Sequence, residues 1–304
     1  MSRVATRSKA PRPKLRIGKL VVIGVGLIGG SFSLALKKAK VVKHVVGVGR
    51  SRKNLNDAVR LGVIDEASRD AASAVEDADL VLIGTPVGQM PEVMAAIGPA
   101  LGRHTVVTDG GSTKQNVIEF ARRFLGEHFE RFVPAHPIAG TEKSGAAAAF
   151  PELFRDRNLI LVPQQETKAS AVRLVRSAWE ACGARILKLD ARTHDEIFAA
   201  VSHLPHVIAF ALVSMLAKRK DAAELLGHSG GGLRDTVRIA GSSPEMWRDI
   251  CVANRDALTR LLDAYVEELE SARSAIQNAD AAALTSMFER ARSARERWLV
   301  KKAG

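Results

Sequence analysis

Only two cysteines, Cys182 and Cys251, occur in 304 residues, far apart and without partner spacing. That argues against a disulfide framework and a cysteine-built zinc site, no metal is expected, and a reducing cytoplasm is the natural setting. No apolar stretch approaches the ~20 residues that span a bilayer, and the N-terminus lacks the apolar core of a secretory signal. A membrane partner is therefore not expected. Acidic residues are missing from the first 56 positions, which hold fourteen Lys and Arg; the first acid is Asp57. The remaining residues carry 31 basic and 33 acidic side chains, so the net charge of +12 belongs to the N-terminal part alone. A charge so placed is a weak nucleic-acid signal, and no nucleic-acid partner is assigned.

What is present reads as a globular chain, 46% hydrophobic and 26% charged. Residues 1–16 are basic, contain Pro11 and Pro13 and have almost no apolar content. Such a segment cannot offset its ordering entropy by burial, and it is read as a disordered basic tail.

Lys19–Ile23 is a β-branched run leading into Gly24-Val25-Gly26-Leu27-Ile28-Gly29-Gly30, and an apolar helical pattern follows. Glycines at this spacing, between a strand and a helix, suit a dinucleotide. Gly24 permits the tight turn, Gly26 lets the backbone approach a pyrophosphate, and Gly29 allows close packing of helix on strand. Leu27 and Ile28 open the helix, whose N–H groups and dipole favour phosphate. A second strand, Val45–Val48, ends at Gly49-Arg50-Ser51-Arg52. No acid stands there to bind a ribose 2′-hydroxyl, whereas Arg50, Ser51 and Arg52 could hold a 2′-phosphate; the cofactor is expected to be NADP rather than NAD.

Further apolar strands are expected at Leu80–Gly84, Thr105–Thr108, Arg131–Ala135 and Leu159–Pro163, with helices at 54–61, 90–101 and 114–125. Their continuous apolar character fits a parallel sheet covered on both faces. Thr85-Pro86 and the loop 109–112 fall at strand ends, where ligands collect. Residues 17–190 thus read as a doubly wound Rossmann domain of the α/β class. After Asp190 the period changes to 3.6, and Ile197, Val201, Leu204, Ile208, Leu212 and Met215 trace one helix face. Residues 191–304 read as an all-helical substrate and dimerisation domain, its stripes packing on each other or on a second copy of the chain.

Four segments carry more specific information: the glycine loop, His136-Pro137-Ile138-Ala139-Gly140-Thr141-Glu142-Lys143-Ser144-Gly145, Ser202-His203-Leu204-Pro205-His206, and Arg234-Asp235-Thr236-Val237-Arg238-Ile239-Ala240. In that order they resemble the prephenate dehydrogenase family, which includes arogenate and cyclohexadienyl dehydrogenases, from about Arg16 onward. The resemblance implies a stand-alone enzyme that oxidatively decarboxylates prephenate or arogenate with NAD(P) on the route to tyrosine. It implies His136 as the base that takes the C4 hydroxyl proton, a task suited to an imidazole of pKa near ~6.5. Ser112 matches the serine that orients hydroxyl and histidine, although it could instead cap the helix that begins near Lys114. Arg238 matches the arginine that grips a substrate carboxylate. Ser202 and His206 match side-chain contacts to the substrate, Trp247 a pocket aromatic and Glu142 a gating carboxylate, while His203 is read as structural. A homodimer is expected.

Two other functions fit the sequence less well. A β-hydroxyacid dehydrogenase needs a lysine on the first helix after the Rossmann domain, and residues 195–217 contain no lysine or arginine. An NAD(P)-binding redox sensor needs the glycines but has no use for Ser112, His136 and Arg238 together.

Overall fold

The computed structural model describes residues 15–141 and 143–303, with the backbone alone for 300–303. The basic tail therefore lies, but for its last two residues, outside the described residues, as does Glu142.

The first strand, β1 (Ile17–Ile23), shows why the chain folds as it does. Leu20 and Val22 point into one apolar cluster, Val21 and Ile23 into another, and all four are almost completely buried. A strand covered on both faces needs a continuous apolar run, as this sequence supplies. The glycine loop then leads to α1 (Leu27–Lys38), β2 (Val42–Val48) and α2 (Arg52–Arg60). The unit continues through β3 (Glu66–Ser68), α3 (Ala71–Val75), β4 (Leu80–Ile83) and α4 (Met90–Ile97). It is completed by β5 (Val106–Asp109), α5 (Gln115–Phe124) and β6 (Phe132–Val133). These six strands form one parallel sheet in the order β3-β2-β1-β4-β5-β6, a doubly wound Rossmann topology.

The segment expected as one strand, Arg131–Ala135, is in fact two. Pro134 has no N–H to give a ladder, and at this residue the chain leaves the parallel sheet. It continues as β7 (Ala135–Pro137), which pairs antiparallel with β8 (Asn158–Leu161). After α6 (Ala169–Ala181), β9 (Arg185–Lys188) adds in parallel to β8, giving a second sheet of three strands. Trp179 of α6 pins this layer to α1, its ring 4.4 Å from that of Phe32 and 5.0 Å from that of Phe154.

Helices follow: α7 (Ala191–Phe198), a π-helical turn (Ala199–His203), α8 (Leu204–Ala217), α9 (Ala222–Gly227), α10 (Gly231–Val237) and α11 (Pro244–Ala253). The π turn lies just ahead of Pro205. A proline inside a regular helix removes one hydrogen bond and clashes with the carbonyl four residues back, and the wider turn relieves both. Residues 191–217 form one helical run of 27 residues, within which an 18-residue stretch reaches a mean hydropathy of 1.8, long and apolar enough to cross a bilayer by length and composition. That corrects the expectation of no such stretch: His203, His206 and the serines interrupt the apolar letters without adding a charge.

Of the apolar stripe read from the sequence, Ile197, Val201 and Met215 are exposed, while Leu204, Ile208 and Leu212 are half-buried. Val201 is 66% exposed and Met215 56%, while the inward face of the same run carries His194, Asp195, Phe198, Ala199 and His203, all buried. Compact packing places everything through Asn254 in one unit. A second unit, α12 (Arg255–Gln277) and α13 (Ala281–Ala303), is a helical hairpin joined by an Arg290–Glu268 ion pair of 3.0 Å. Asn254 separates α11 from α12, and its side chain donates to the carbonyl of Asp195.

Candidate active site

The glycine loop behaves as its spacing predicts. Gly24 has φ +95°, and a Cβ there would lie 2.7 Å from the Gly84 carbonyl carbon. A Cβ on Gly29 would meet the Gly24 carbonyl oxygen at 2.4 Å, whereas at Gly26 nothing stands within 4 Å. The open side at Gly26 is where a pyrophosphate would approach, and α1 begins there with no side chain capping its N–H groups. Asn54, unremarked in the sequence, clamps the loop: its Nδ2 donates to the Val25 carbonyl and its Oδ1 accepts from the Ala146 N–H. Ser51 Oγ caps α2 by accepting from Asn54 N–H, and Arg50 and Arg52 flank it in solvent. Thr85, at the end of β4 before Pro86, has its hydroxyl buried without a protein partner, a donor still to be satisfied. These features fit a dinucleotide laid across the strand ends.

His136 sits in the middle of β7, 8% exposed. Beside it, at the end of β5, Asp109 is fully buried and satisfied on both oxygens. Oδ1 accepts from Ala135 N–H, and Oδ2 accepts from Gly111 N–H and pairs with the fully buried Lys114 ammonium. This ion pair shapes the loop 110–113, which holds Ser112 half-buried. A Cβ on Gly110 would come within 4.0 Å of Pro137 Cδ, so the serine loop and the histidine strand are neighbours. Ser112 does not cap α5. The cap is Asp195, 80 residues further on, whose carboxylate accepts from the N–H groups of Lys114 and Gln115 at 2.8 and 2.9 Å.

His194, next to Asp195, was missed by sequence reading. Its Nδ1 lies 2.7 Å from Asp195 Oδ1 and its Nε2 2.8 Å from His136 Nδ1, and the ring of Phe198 packs against both imidazoles. The available signal was an imidazole and a carboxylate one helical turn before an apolar face, with no hint of which way that face would turn. Burial first, then the neighbouring charges of His194, Lys114 and His203, hold the His136 imidazole well below its ordinary pKa. Burial also lowers His194, against the opposing pull of its Asp195 hydrogen bond. Burial alone would raise the Asp195 carboxyl, but the His194, Gln115 and Lys114 donors outweigh it and leave it below its usual value.

The substrate-side candidates lie on the π turn and on α8, α10 and α11. His206 stacks on Trp247 with ring centroids 3.5 Å apart and an angle of 19° between the planes. Its Nδ1 donates to the Ser202 carbonyl, which leaves Nε2 as the acceptor. Burial lowers its pKa, and the nearby positive charge of Arg238 lowers it further, so the guanidinium lies within electrostatic reach. Arg238 itself is exposed at the end of α10, and Ser202 is half-buried in the π turn. The indole N–H of Trp247 is buried without a protein partner. His203 is fully buried; its Nδ1 accepts from Asn254 Nδ2 at 3.1 Å, and burial brings its pKa down to about 4. Among the described residues no group of three or more His, Cys, Asp or Glu is placed to hold a metal ion.

A glycine loop suited to phosphate thus shares one compact unit with a buried imidazole and a His206–Trp247 stack that feels the charge of Arg238. Family models place it: residues 32–188 match the prephenate dehydrogenase nucleotide-binding domain and residues 190–290 the prephenate dehydrogenase dimerization domain. The chain belongs to the prephenate dehydrogenase family. It is 38% identical to the cyclohexadienyl dehydrogenase of Zymomonas mobilis over 91% of its own length and 94% of the relative's. With the prephenate dehydrogenase of Bacillus subtilis it shares 35% identity over 94% of its length and 77% of the other. Among solved structures, prephenate dehydrogenase from Aquifex aeolicus in complex with hydroxyphenyl propionate and NAD+ superposes with a TM-score of 0.84. That pair is 31% identical, covering 93% of this chain and 99% of the other. The chain is accordingly an oxidoreductase of this family with a nucleotide-binding Rossmann domain.

Proposed function

We propose that the chain is a prephenate dehydrogenase that converts prephenate to 4-hydroxyphenylpyruvate and carbon dioxide with NADP, in tyrosine biosynthesis. The observation that carries this reading is His136: an imidazole buried and held well below its ordinary pKa, on a strand beside the serine loop that also reaches Ile28 of the glycine-loop helix. The nicotinamide supplies the hydride acceptor when bound. His136 takes the proton of the C4 hydroxyl as the C4–H bond breaks, so that the ring carboxylate can leave as carbon dioxide and the ring become aromatic. Ser112 orients that hydroxyl, freed for the task because Asp195 caps α5 in its place. Arg238 holds a carboxylate of the substrate, and Ser202, His206 and Trp247 line the rest of the pocket. Glu142, outside the described residues, is assigned to the gate of that pocket.

Gly24, Gly26, Leu27, Ile28, Gly29, Thr85 and Pro86 are assigned to the dinucleotide backbone. Arg50, Ser51 and Arg52 are assigned to the 2′-phosphate, because two cations and a helix N-terminus face a strand end without an acid. The domains implied are residues 17–190 for cofactor and 191–304 for substrate and dimerisation, in a cytoplasmic homodimer with no nucleic-acid or membrane partner. The outward apolar face at Val201 and Met215 supports the dimer. The similarity to a cyclohexadienyl dehydrogenase supports a second reading, in which arogenate is accepted as well.

Absorbance at the reduced-nicotinamide band, with prephenate and arogenate crossed against NAD and NADP, tests all of this. Prephenate with NADP is expected to give the highest kcat/KM. A preference for NAD would remove Arg50 and Arg52 from the cofactor site. Silence in every combination, from folded protein that binds the dinucleotide, would overturn the assignment.

A further inference from the structure

Behind His136 runs a line of hydrogen bonds that proton removal from the substrate does not by itself require. It starts at the N-terminus of α5, where two backbone N–H groups donate to the Asp195 carboxylate. An ionised carboxylate only accepts, so the Asp195 Oδ1 contact at 2.7 Å forces the His194 proton onto Nδ1. His194 Nε2 is then a bare lone pair, and the His136 Nδ1 that meets it at 2.8 Å must bring the hydrogen. A neutral imidazole carries one N–H, so His136 Nε2 is left unprotonated, the form a general base needs. Three successive choices are set by one carboxylate held on a helix end.

We propose that His194 is a positioning residue that selects the Nδ1–H tautomer of His136 and keeps its Nε2 bare toward the substrate hydroxyl. The proposal rests on the reading of His136 as the base. Free histidine in water favours the opposite tautomer, so the site has something to correct. The surroundings keep both rings neutral at neutral pH: burial lowers each of them, Asp109 and Lys114 pair with each other, and the positive charges of Lys114 and, from the π turn, His203 disfavour a charged His136. His206, on α8, acts in the same sense on His203. Phe198, one turn after His194, packs its ring against both imidazoles. When His136 Nε2 takes the proton, the new imidazolium keeps its Nδ1–H on His194, with the Asp195 charge one ring further away.

The test is the 15N spectrum of the imidazole nitrogens in the intact enzyme at neutral pH, with the His136 signals assigned by their loss in His136→Asn. The expected spectrum has His136 protonated at Nδ1 and bare at Nε2. His194→Phe should admit the Nε2–H tautomer and lower kcat by ~10-fold or more, as when a histidine loses the group that fixes its tautomer, with the dinucleotide Kd unchanged. His194→Gln, whose amide oxygen can accept near the position of Nε2, should restore much of the turnover. A wild-type His136 protonated at Nε2 overturns the proposal, as does a His194→Phe enzyme with unchanged tautomer and kcat. Should His194→Phe fail to fold, the wild-type spectrum decides: a His136 protonated at Nδ1 supports the proposal and one protonated at Nε2 overturns it. Turnover of His136→Ala separates the two claims: if it matches wild type, the base assignment itself is wrong, whereas its collapse beside an indifferent His194→Phe removes His194 alone.

Discussion

Each histidine of the site has a different set of neighbours, and those neighbours divide the work. His136 is buried against His194 and Phe198, His203 is tied to Asn254, and His206 lies flat on Trp247 beside Arg238. All have pKa values below the ordinary 6.5, each because burial disfavours the charged ring. A base must be unprotonated to act, so a lowered pKa keeps His136 competent into mild acid. The acid limb of kcat/KM should therefore fall below pH 6.5, which a pH series from 5 to 8 reads directly; a limb above 7 would mean the titrating group is not this one. Arg238→Gln should raise KM for prephenate ~10-fold or more with a smaller effect on kcat, since it removes a charge-assisted grip on a carboxylate. An unchanged KM in steady-state assays would put Arg238 outside the pocket.

At the level of elements, the join between β5, α5 and α7 governs the site. Asp109 holds the loop before α5 through Gly111 and Lys114, and Asp195 of α7 caps α5 itself. Asp195→Ala should cost ~1–2 kcal/mol for the lost cap and lower the melting temperature by a few degrees in calorimetry; an unchanged melt would mean the cap carries no weight. The glycine loop was legible in the sequence because its demands are local: a positive φ at Gly24 and close backbone approach at Gly29 follow from three letters and a strand. His194 and Asp195 were not. Their partners are 58 and 80 residues away, and nothing in the chain near α7 announces them. Of the stripe Ile197, Val201, Leu204, Ile208, Leu212 and Met215, three residues are exposed and three half-buried, since periodicity cannot say which of two faces turns inward. Here the inward one is the polar one, because a hydrogen-bonded network can be buried and an apolar face can be left for another surface. Pro134 likewise hid a change of sheet inside what read as one strand.

For the whole molecule, the buried neutral histidines couple stability to pH. A histidine whose folded pKa is lowered binds fewer protons folded than unfolded, so stability is complete above the unfolded value near 6.5 and drains as pH falls below it. For His203 the window runs from 6.5 down to about 4 and amounts to ~3 kcal/mol. Urea midpoints should fall steadily between pH 6.5 and 4, and His203→Asn should flatten part of that slope; a flat wild-type profile would contradict the burial of these rings as neutral species. Light scattering should give twice the chain mass of 32.7 kDa, and Val201→Glu should shift it toward a single chain.

The most direct measurement follows reduced nicotinamide and 4-hydroxyphenylpyruvate together, with prephenate and NADP, in wild type and His136→Ala. The account predicts equal amounts of both products from wild type. It predicts a turnover lower by ~10²-fold or more in the variant, with dinucleotide binding retained. Reduction without 4-hydroxyphenylpyruvate, or a variant as fast as wild type, would contradict it.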